Sequence, residues 1–147
     1  MTNFDSKTIA MLRVGAVFNF LLAAGHFAAL FFLDKAFRFY QIDGIMNEMA
    51  SICAALPYLI TVALVGSFTV AGIYSLSASG SIRKFPFEKL VIGAISFVFA
   101  GRAIMGAISL FINFQTREIV STIIAAAVAL CYTLAIKTYI KEFLNKR

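Results

Sequence analysis

The feature that most constrains this chain is the repetition of apolar runs long enough to cross a membrane. Four runs, rich in Ala, Ile, Leu, Val and Phe, cover about 14–33, 52–76, 90–114 and 119–136. A helix needs roughly 20 apolar residues to cross the hydrocarbon layer, and it satisfies its own backbone polar groups there. The alternating pattern typical of a membrane barrel is absent. The sequence therefore predicts four transmembrane helices.

Composition argues against a water-soluble alternative. Hydrophobic residues make up 61% of the 147 residues and charged residues 14%, whereas a soluble domain has roughly 45–50% and about 25%. A small core cannot hide so much apolar surface from water, because small domains have a high surface-to-volume ratio. We expect a single transmembrane domain over residues 1–147, folded as an all-α integral membrane four-helix bundle.

The placement of the basic residues predicts the orientation of the chain. Most Lys and Arg residues lie in the N-terminal segment, between helices two and three, and in the C-terminal tail. The positive-inside rule then places both the N and C termini on the cytoplasmic side, in our interpretation of a bacterial cytoplasmic (inner) membrane. The basic residues predicted to bind anionic lipid of this bilayer are Arg83, Lys84, Lys89, Lys137 and Lys141. Nucleic acid is not an expected partner, because the sequence shows no basic face on a soluble fold.

The connections carry turn signals. Gly80 is predicted to stop helix two, and Pro86 to start helix three. Residues 115–118 are predicted to form a tight hairpin, which makes helices three and four antiparallel neighbours. Residues 34–51 mix aromatic and charged side chains, so we expect an outer loop that lies in the membrane interface. Pro57 either kinks helix two or marks its true start.

Small residues recur at every fourth position of two helices. They are Ala63, Ser67, Ala71, Ser75 and Ser79 in helix two, and Ser121, Ala125, Ala129 and Thr133 in helix four. Such stripes let helix backbones approach closely in lipid. They predict either packing within one chain or contact between chains, in a homo-oligomer or a larger membrane complex.

Arg102 is the most informative single residue. It lies near the middle of helix three, where an arginine costs roughly 2.5–3.5 kcal/mol on insertion scales. The guanidinium stays charged, so it needs a polar partner or water. Ser109 and Asn113 follow on the same helix face. They predict a polar strip that runs from the middle of the membrane to its outer surface.

A second polar face belongs to helix one. Asn19 shares this face with His26, the only histidine, which lies at a depth similar to that of Arg102. Tyr58 on helix two extends the polar set, and Glu48, near the outer start of helix two, is the predicted counter-ion of Arg102. Together they predict one shared polar interior. Arg102 is then part of a structural pair, a site for an anionic ligand, or a catalytic group.

The sequence contains no catalytic signature strong enough to name a reaction. No paired carboxylates lie within the four runs, and no serine has a nucleophile-elbow motif. One histidine and no CxxC pair do not make a zinc site, so neither a metal nor a cofactor is predicted. Cys53 and Cys131 are both predicted to be small buried apolar residues.

Short motifs spread over most of the chain carry a resemblance to a known family. They are Gly25-His26-Phe27, Asn47-Glu48, the segment from Ala71 to Leu76, and Gly101-Arg102. With these motifs the chain resembles the DoxX-like group of small four-helix bacterial membrane proteins. The resemblance implies the fold and an accessory role, since some members are linked to redox or stress complexes as accessory subunits. It implies no reaction.

These observations favour a small non-enzymatic membrane protein. It would bind a lipid or another amphipathic anion in an outward-facing polar pocket, or act as an accessory subunit of a membrane complex. One alternative is a membrane enzyme on a lipophilic substrate, with Arg102 stabilising a developing anion and His26 moving a proton. Another is an interaction or immunity-type protein whose small-residue stripes pack against the helices of a partner.

Overall fold

The computed structural model is built from helices and describes residues 4–112, 114 and 116–145, without the side chains of residues 117 and 142. No strand occurs among these residues. The helices are α1 (Ser6–Ala29), α2 (Leu33–Tyr40), α3 (Asp43–Ile52), α4 (Leu56–Ala78), α5 (Glu88–Ile112) and α6 (Thr116–Leu144). A short 3-10 turn, Leu30–Phe32, joins α1 to α2.

Four helical stretches in the described part of the chain are long and apolar enough to cross a membrane. They are Ser6–Tyr40, Leu56–Ala78, Glu88–Ile112 and Glu118–Lys141. This confirms an all-helical chain with four potential membrane-spanning helices, as the apolar runs predicted. The helix α6 continues past the predicted end at 136 to Leu144. The apolar run stops there, but the helix does not, because the lysines that follow are good helix formers.

The helix α1 begins before its apolar run because Asp5 caps it. The carboxylate of Asp5 accepts a hydrogen bond from the backbone N–H of Thr8 at 3.1 Å, which satisfies one of the unpaired donors of a helix start. Hydrogen bonds from Thr8, from its side chain first and then from its backbone, hold the pKa of Asp5 below its usual value of 3.8.

The segment predicted as an interfacial loop contains two short helices. Gln41 ends α2 in the left-handed conformation with φ of 56°, and Ile42 N–H donates to Phe37 O at 3.0 Å. The polypeptide then forms α3. Placement of this segment in the membrane interface stays a prediction.

Pro57 marks the true start of α4, one of the two predicted alternatives. It is the second residue of the helix, where the missing N–H has no helical partner to lose. Cys53 lies in the connection before it and is exposed, so the prediction that it is buried was wrong. Cys131, inside α6, is buried as predicted.

The connection between α4 and α5 confirms one predicted turn and corrects another. Gly80 ends α4 with φ of 72°, and the N–H groups of Gly80 and Ser81 each donate at 3.0 Å to carbonyls of the last turn. Pro86 was predicted to start the next helix, and that prediction was wrong. The helix α5 begins at Glu88, because Phe87 has φ of 58° and lies outside helical geometry.

The chain divides into two compact units, Met1–Phe18 with Ala71–Arg147, and Asn19–Val70. In the first unit α5 and α6 pack along one another. Contacts between Arg102 and Glu118 and between Glu88 and Tyr139 confirm that these helices are antiparallel neighbours.

The core of the first unit contains a buried polar contact. The hydroxyls of Ser75 and Tyr132 lie 2.6 Å apart, and both residues are fully buried. A Cβ added to Gly15 would lie 3.0 Å from the Tyr132 hydroxyl, so the absence of a side chain at this position makes room for the tyrosine.

The small-residue stripe predicted for the second membrane helix, which is α4 in the structure, has buried and exposed members. Ala71, Ser75 and Ser79, in the first unit, are buried. Ala63 and Ser67, in the second unit, are exposed. The buried members favour packing within one chain for that part of the stripe.

Candidate functional site

Arg102 is positioned by the pairing of α5 with α6. At 1.5 Å per residue it lies roughly 21 Å along α5 from Glu88 and roughly 15 Å from Ile112. The backbone of Arg102 therefore lies within an apolar helix of membrane-spanning length. Its long side chain extends to polar groups in the first turns of α6.

Two side chains of α6 hold the guanidinium. Arg102 Nη1 donates to Glu118 Oε1 at 2.9 Å, in an ion pair, and Nη2 donates to Ser121 Oγ at 2.9 Å. The Ser121 hydroxyl in turn donates to the carbonyl of Glu118 at 3.2 Å. The two acceptors lie about one turn apart on α6. Each of the two terminal nitrogens of the guanidinium therefore has its own acceptor, which restricts the orientation of the planar group.

Glu118 is the functional candidate that sequence reasoning missed. Residues 115–118 were predicted to be a turn, whereas α6 already begins at Thr116, so Glu118 lies in its first turn. Glu48 was predicted as the counter-ion instead. The usable signal was the hairpin itself, since an arginine about three turns before a tight connection can extend along its helix toward an acid at the start of the next helix.

Gly106 makes the close approach of the two helices possible. A Cβ at this position would overlap Thr122 Oγ1 and would lie 2.7 Å from Arg102 Nη1. The guanidinium therefore runs along its own helix beside Gly106. The Thr122 hydroxyl oxygen is buried and has no hydrogen-bond partner among the described residues. The backbone of Gly106 faces it, as in the Cα–H···O contacts common between close helices.

The arrangement leaves Arg102 able to bind a further group. A guanidinium has five N–H donors, and the contacts with Glu118 and Ser121 use two of them. The side chain of Arg102 is 43% exposed and that of Glu118 is 26% exposed. Donors that these two contacts do not use are what a phosphate or carboxylate would require.

The other predicted site residues of the first unit are Ser109 and Asn113. Ser109 is exposed on α5, seven residues after Arg102. Asn113 lies outside the described residues. Beyond Arg102, Ser109 is therefore the one residue of the predicted polar strip on α5 that the structure describes.

The remaining predicted site residues belong to the second unit. Asn19 is fully buried, whereas Glu48 and Tyr58 are exposed. The Nδ1 of His26 lies 2.8 Å from the carbonyl of Leu22, so Nδ1 carries the proton, and the His26 ring lies 5.0 Å from that of Phe68. The assembly of these side chains with Arg102 into one pocket stays a prediction.

The predicted lipid-binding basic residues all have exposed side chains. They are Arg83, Lys84, Lys89, Lys137 and Lys141. The ammonium of Lys89 lies 5.2 Å from the centre of the Tyr139 ring, within the range of a cation–π contact.

Comparisons with protein families, with curated proteins and with solved structures find no match to this chain. The resemblance to the DoxX-like group therefore stays a prediction. Arg102 and its neighbours are the residues whose chemistry bears on function.

Proposed function

We propose that this chain is an integral membrane protein that binds a lipid or another amphipathic anion at Arg102, without catalysing a reaction on it. Four helices of membrane-spanning length and composition supply the setting. Arg102 supplies the charge that would meet a phosphate or carboxylate head group, and the apolar surface of α5 would accommodate the tail.

The observation that carries the proposal is an arginine that is paired and still 43% exposed within an apolar helix. A charge at this depth is stable only when polar groups or water surround it. Glu118 and Ser121 provide part of that surrounding, and an anionic head group would complete it. Arginine suits this role because its planar fork binds phosphate and carboxylate with two parallel hydrogen bonds.

Ligand-dependent thermal stabilisation tests the proposal. The protein in dodecyl maltoside is mixed with phosphatidylglycerol or, at the same mole fraction, phosphatidylcholine. At a tenfold excess over Kd a ligand contributes about 1.4 kcal/mol, which raises the unfolding midpoint by roughly 3–6 °C. We expect phosphatidylglycerol to stabilise the wild-type protein more than phosphatidylcholine, and Arg102→Leu to lose a share of this difference.

The matched control is Arg38→Leu, the same chemical change at an exposed arginine of α2. It should keep the full difference between the two lipids. If Arg102→Leu responds to phosphatidylglycerol as the wild type does, the pair with Glu118 serves packing alone and the proposal is wrong.

A further inference from the structure

The connection between α4 and α5 is held in one conformation by hydrogen bonds to helical side chains. Phe85 N–H donates to Ser77 Oγ at 2.9 Å, and Ser77 Oγ donates to Glu88 Oε2 at 3.1 Å. The Tyr139 hydroxyl, on α6, donates to Glu88 Oε1 at 3.2 Å. Ser77, which takes part in two of these bonds, is fully buried. Residues 82–87, the basic segment, are thus tied to Ser77 of α4 through the backbone of Phe85.

A second set of hydrogen bonds fixes the entry to the basic segment. Arg13 Nε, on α1, donates to Ser81 Oγ at 3.0 Å. The hydroxyls of Ser79 and Ser81 lie 2.9 Å apart. The basic segment thus lies between two residues with side-chain hydrogen bonds, Ser81 before it and Glu88 after it.

The basic segment carries two positive charges and no acidic residue of its own. Arg83 and Lys84 are exposed, and the sequence has no acidic residue from position 79 to position 87. Glu88 follows directly and keeps its negative charge, while its carboxylate oxygens accept hydrogen bonds from Ser77 and Tyr139, so Arg83 and Lys84 together leave one positive charge in excess. The surface is therefore complementary to an anion.

Phe87 gives the same surface an apolar group. Its φ of 58° is an uncommon and costly conformation for a bulky side chain, and its side chain is 77% exposed. Phe85, by contrast, has a ring partner, since its ring lies 5.6 Å from that of Tyr74. An exposed aromatic ring held in a strained backbone conformation indicates a functional rather than a packing role.

We infer that the basic segment binds anionic phospholipid, with Arg83 and Lys84 on head-group phosphates and Phe87 inserted among the upper acyl chains. The segment joins the ends of two helices of membrane-spanning length, which places it at the depth where aromatic and basic residues meet lipid head groups. This surface lies at the opposite end of α5 from the connection to α6 and does not depend on the function proposed for Arg102.

The chain contains no tryptophan, so a single introduced tryptophan reports on its local lipids. The variant Phe87→Trp is placed in vesicles of phosphatidylglycerol and phosphatidylcholine in which one or the other lipid carries brominated acyl chains. We expect brominated phosphatidylglycerol to quench the fluorescence more strongly at equal mole fraction. The expected preference is about fivefold in binding for each basic residue engaged.

Two controls separate this site from ordinary lipid contact. Adding Arg83→Gln and Lys84→Gln to Phe87→Trp should make the two lipids quench equally. Leu59→Trp, in the first turn of α4 and 59% exposed in the wild type, has no lysine or arginine near it in the sequence and should show equal quenching without further change. Equal quenching at position 87 with both basic residues present would overturn the inference, as would the absence of quenching by either lipid.

A second variant tests the role of the strained ring. Glycine adopts positive φ without steric cost, so Phe87→Gly should raise the unfolding temperature in detergent. Measured with Ile82→Trp as the reporter, the same change should reduce the preference for phosphatidylglycerol. A preference that Phe87→Gly leaves unchanged would remove Phe87 from the site.

Discussion

Two carboxylates on the α5–α6 pair accept hydrogen bonds in different ways. Glu88, the first residue of α5, accepts from two neutral hydroxyls, those of Ser77 and Tyr139. Glu118, in the first turn of α6, accepts from the guanidinium of Arg102. Removing Glu88 leaves hydroxyls that can find other acceptors, whereas removing Glu118 leaves a cation without its counter-ion. The first acid holds a connection in place, and the second makes an arginine tolerable in an apolar helix.

The largest effect is expected from Glu118→Leu. The variant leaves Arg102 unpaired in a membrane-length helix, and we expect a loss of about 2–3 kcal/mol of unfolding free energy, the order of an arginine inserted alone. Combining it with Arg102→Leu should recover most of the loss, because replacing both members of a charge pair by apolar residues is often neutral. Unfolding in mixed micelles with increasing dodecyl sulfate measures both.

The matched control for that prediction is Glu48→Leu. Glu48 is exposed, and an exposed substitution away from a pair usually changes stability by less than about 0.5 kcal/mol. A larger loss for Glu48→Leu than for Glu118→Leu would reverse the assignment of the counter-ion.

The second effect concerns the helix contact beside Arg102. Gly106→Ala places a methyl group against Thr122 Oγ1 and Arg102 Nη1, so we expect a loss of about 1–3 kcal/mol from overpacking. Gly101→Ala on the same helix meets nothing within 4 Å and should be neutral or stabilising by up to about 1 kcal/mol. The same unfolding measurement compares them, and equal effects of the two changes would contradict the close contact at Gly106.

A smaller effect is expected at the other carboxylate. Glu88→Leu removes the acceptor of Ser77 and Tyr139, and we expect a loss of about 1–2 kcal/mol. Tyr139→Phe removes one of the two bonds and should lose less. Because the segment between α4 and α5 would loosen, limited proteolysis near Lys84 should accelerate in Glu88→Leu. A cost above that of Glu118→Leu would mean that charge is not what distinguishes the two acids.

The smallest effect belongs to an exposed acid that makes only local bonds. The pKa of Asp5 is lowered by its hydrogen bonds with Thr8. Its contribution to stability is therefore present above the unfolded value near 3.8 and is lost as the pH falls through the lower folded value. Unfolding temperatures measured from neutral pH to below 3.8 should show this loss in the wild type. Asp5→Ala should lack that component, and an identical pH profile in both proteins would contradict the cap.

Much of the secondary structure could be predicted from the sequence. The four long helices follow from runs of apolar residues, Gly80 marks the end of α4, and Pro57 marks one of two possible helix starts. These features depend on local propensity and on the length needed to cross a membrane. The sequence also indicated that Arg102 requires a partner, since the charge of a guanidinium persists wherever it is placed.

Tertiary structure alone decided which acid that partner is. The choice of Glu118 depends on the rotation of α6 about its axis and on the short distance between α5 and α6 that Gly106 allows. Hydrophobic periodicity predicts neither of them. The sequence also gives no sign of the left-handed conformation of Phe87, because bulky residues avoid that conformation. The length and hydropathy of a helix are properties of consecutive residues. Charge pairing and backbone strain depend on distances between residues that are far apart in the sequence.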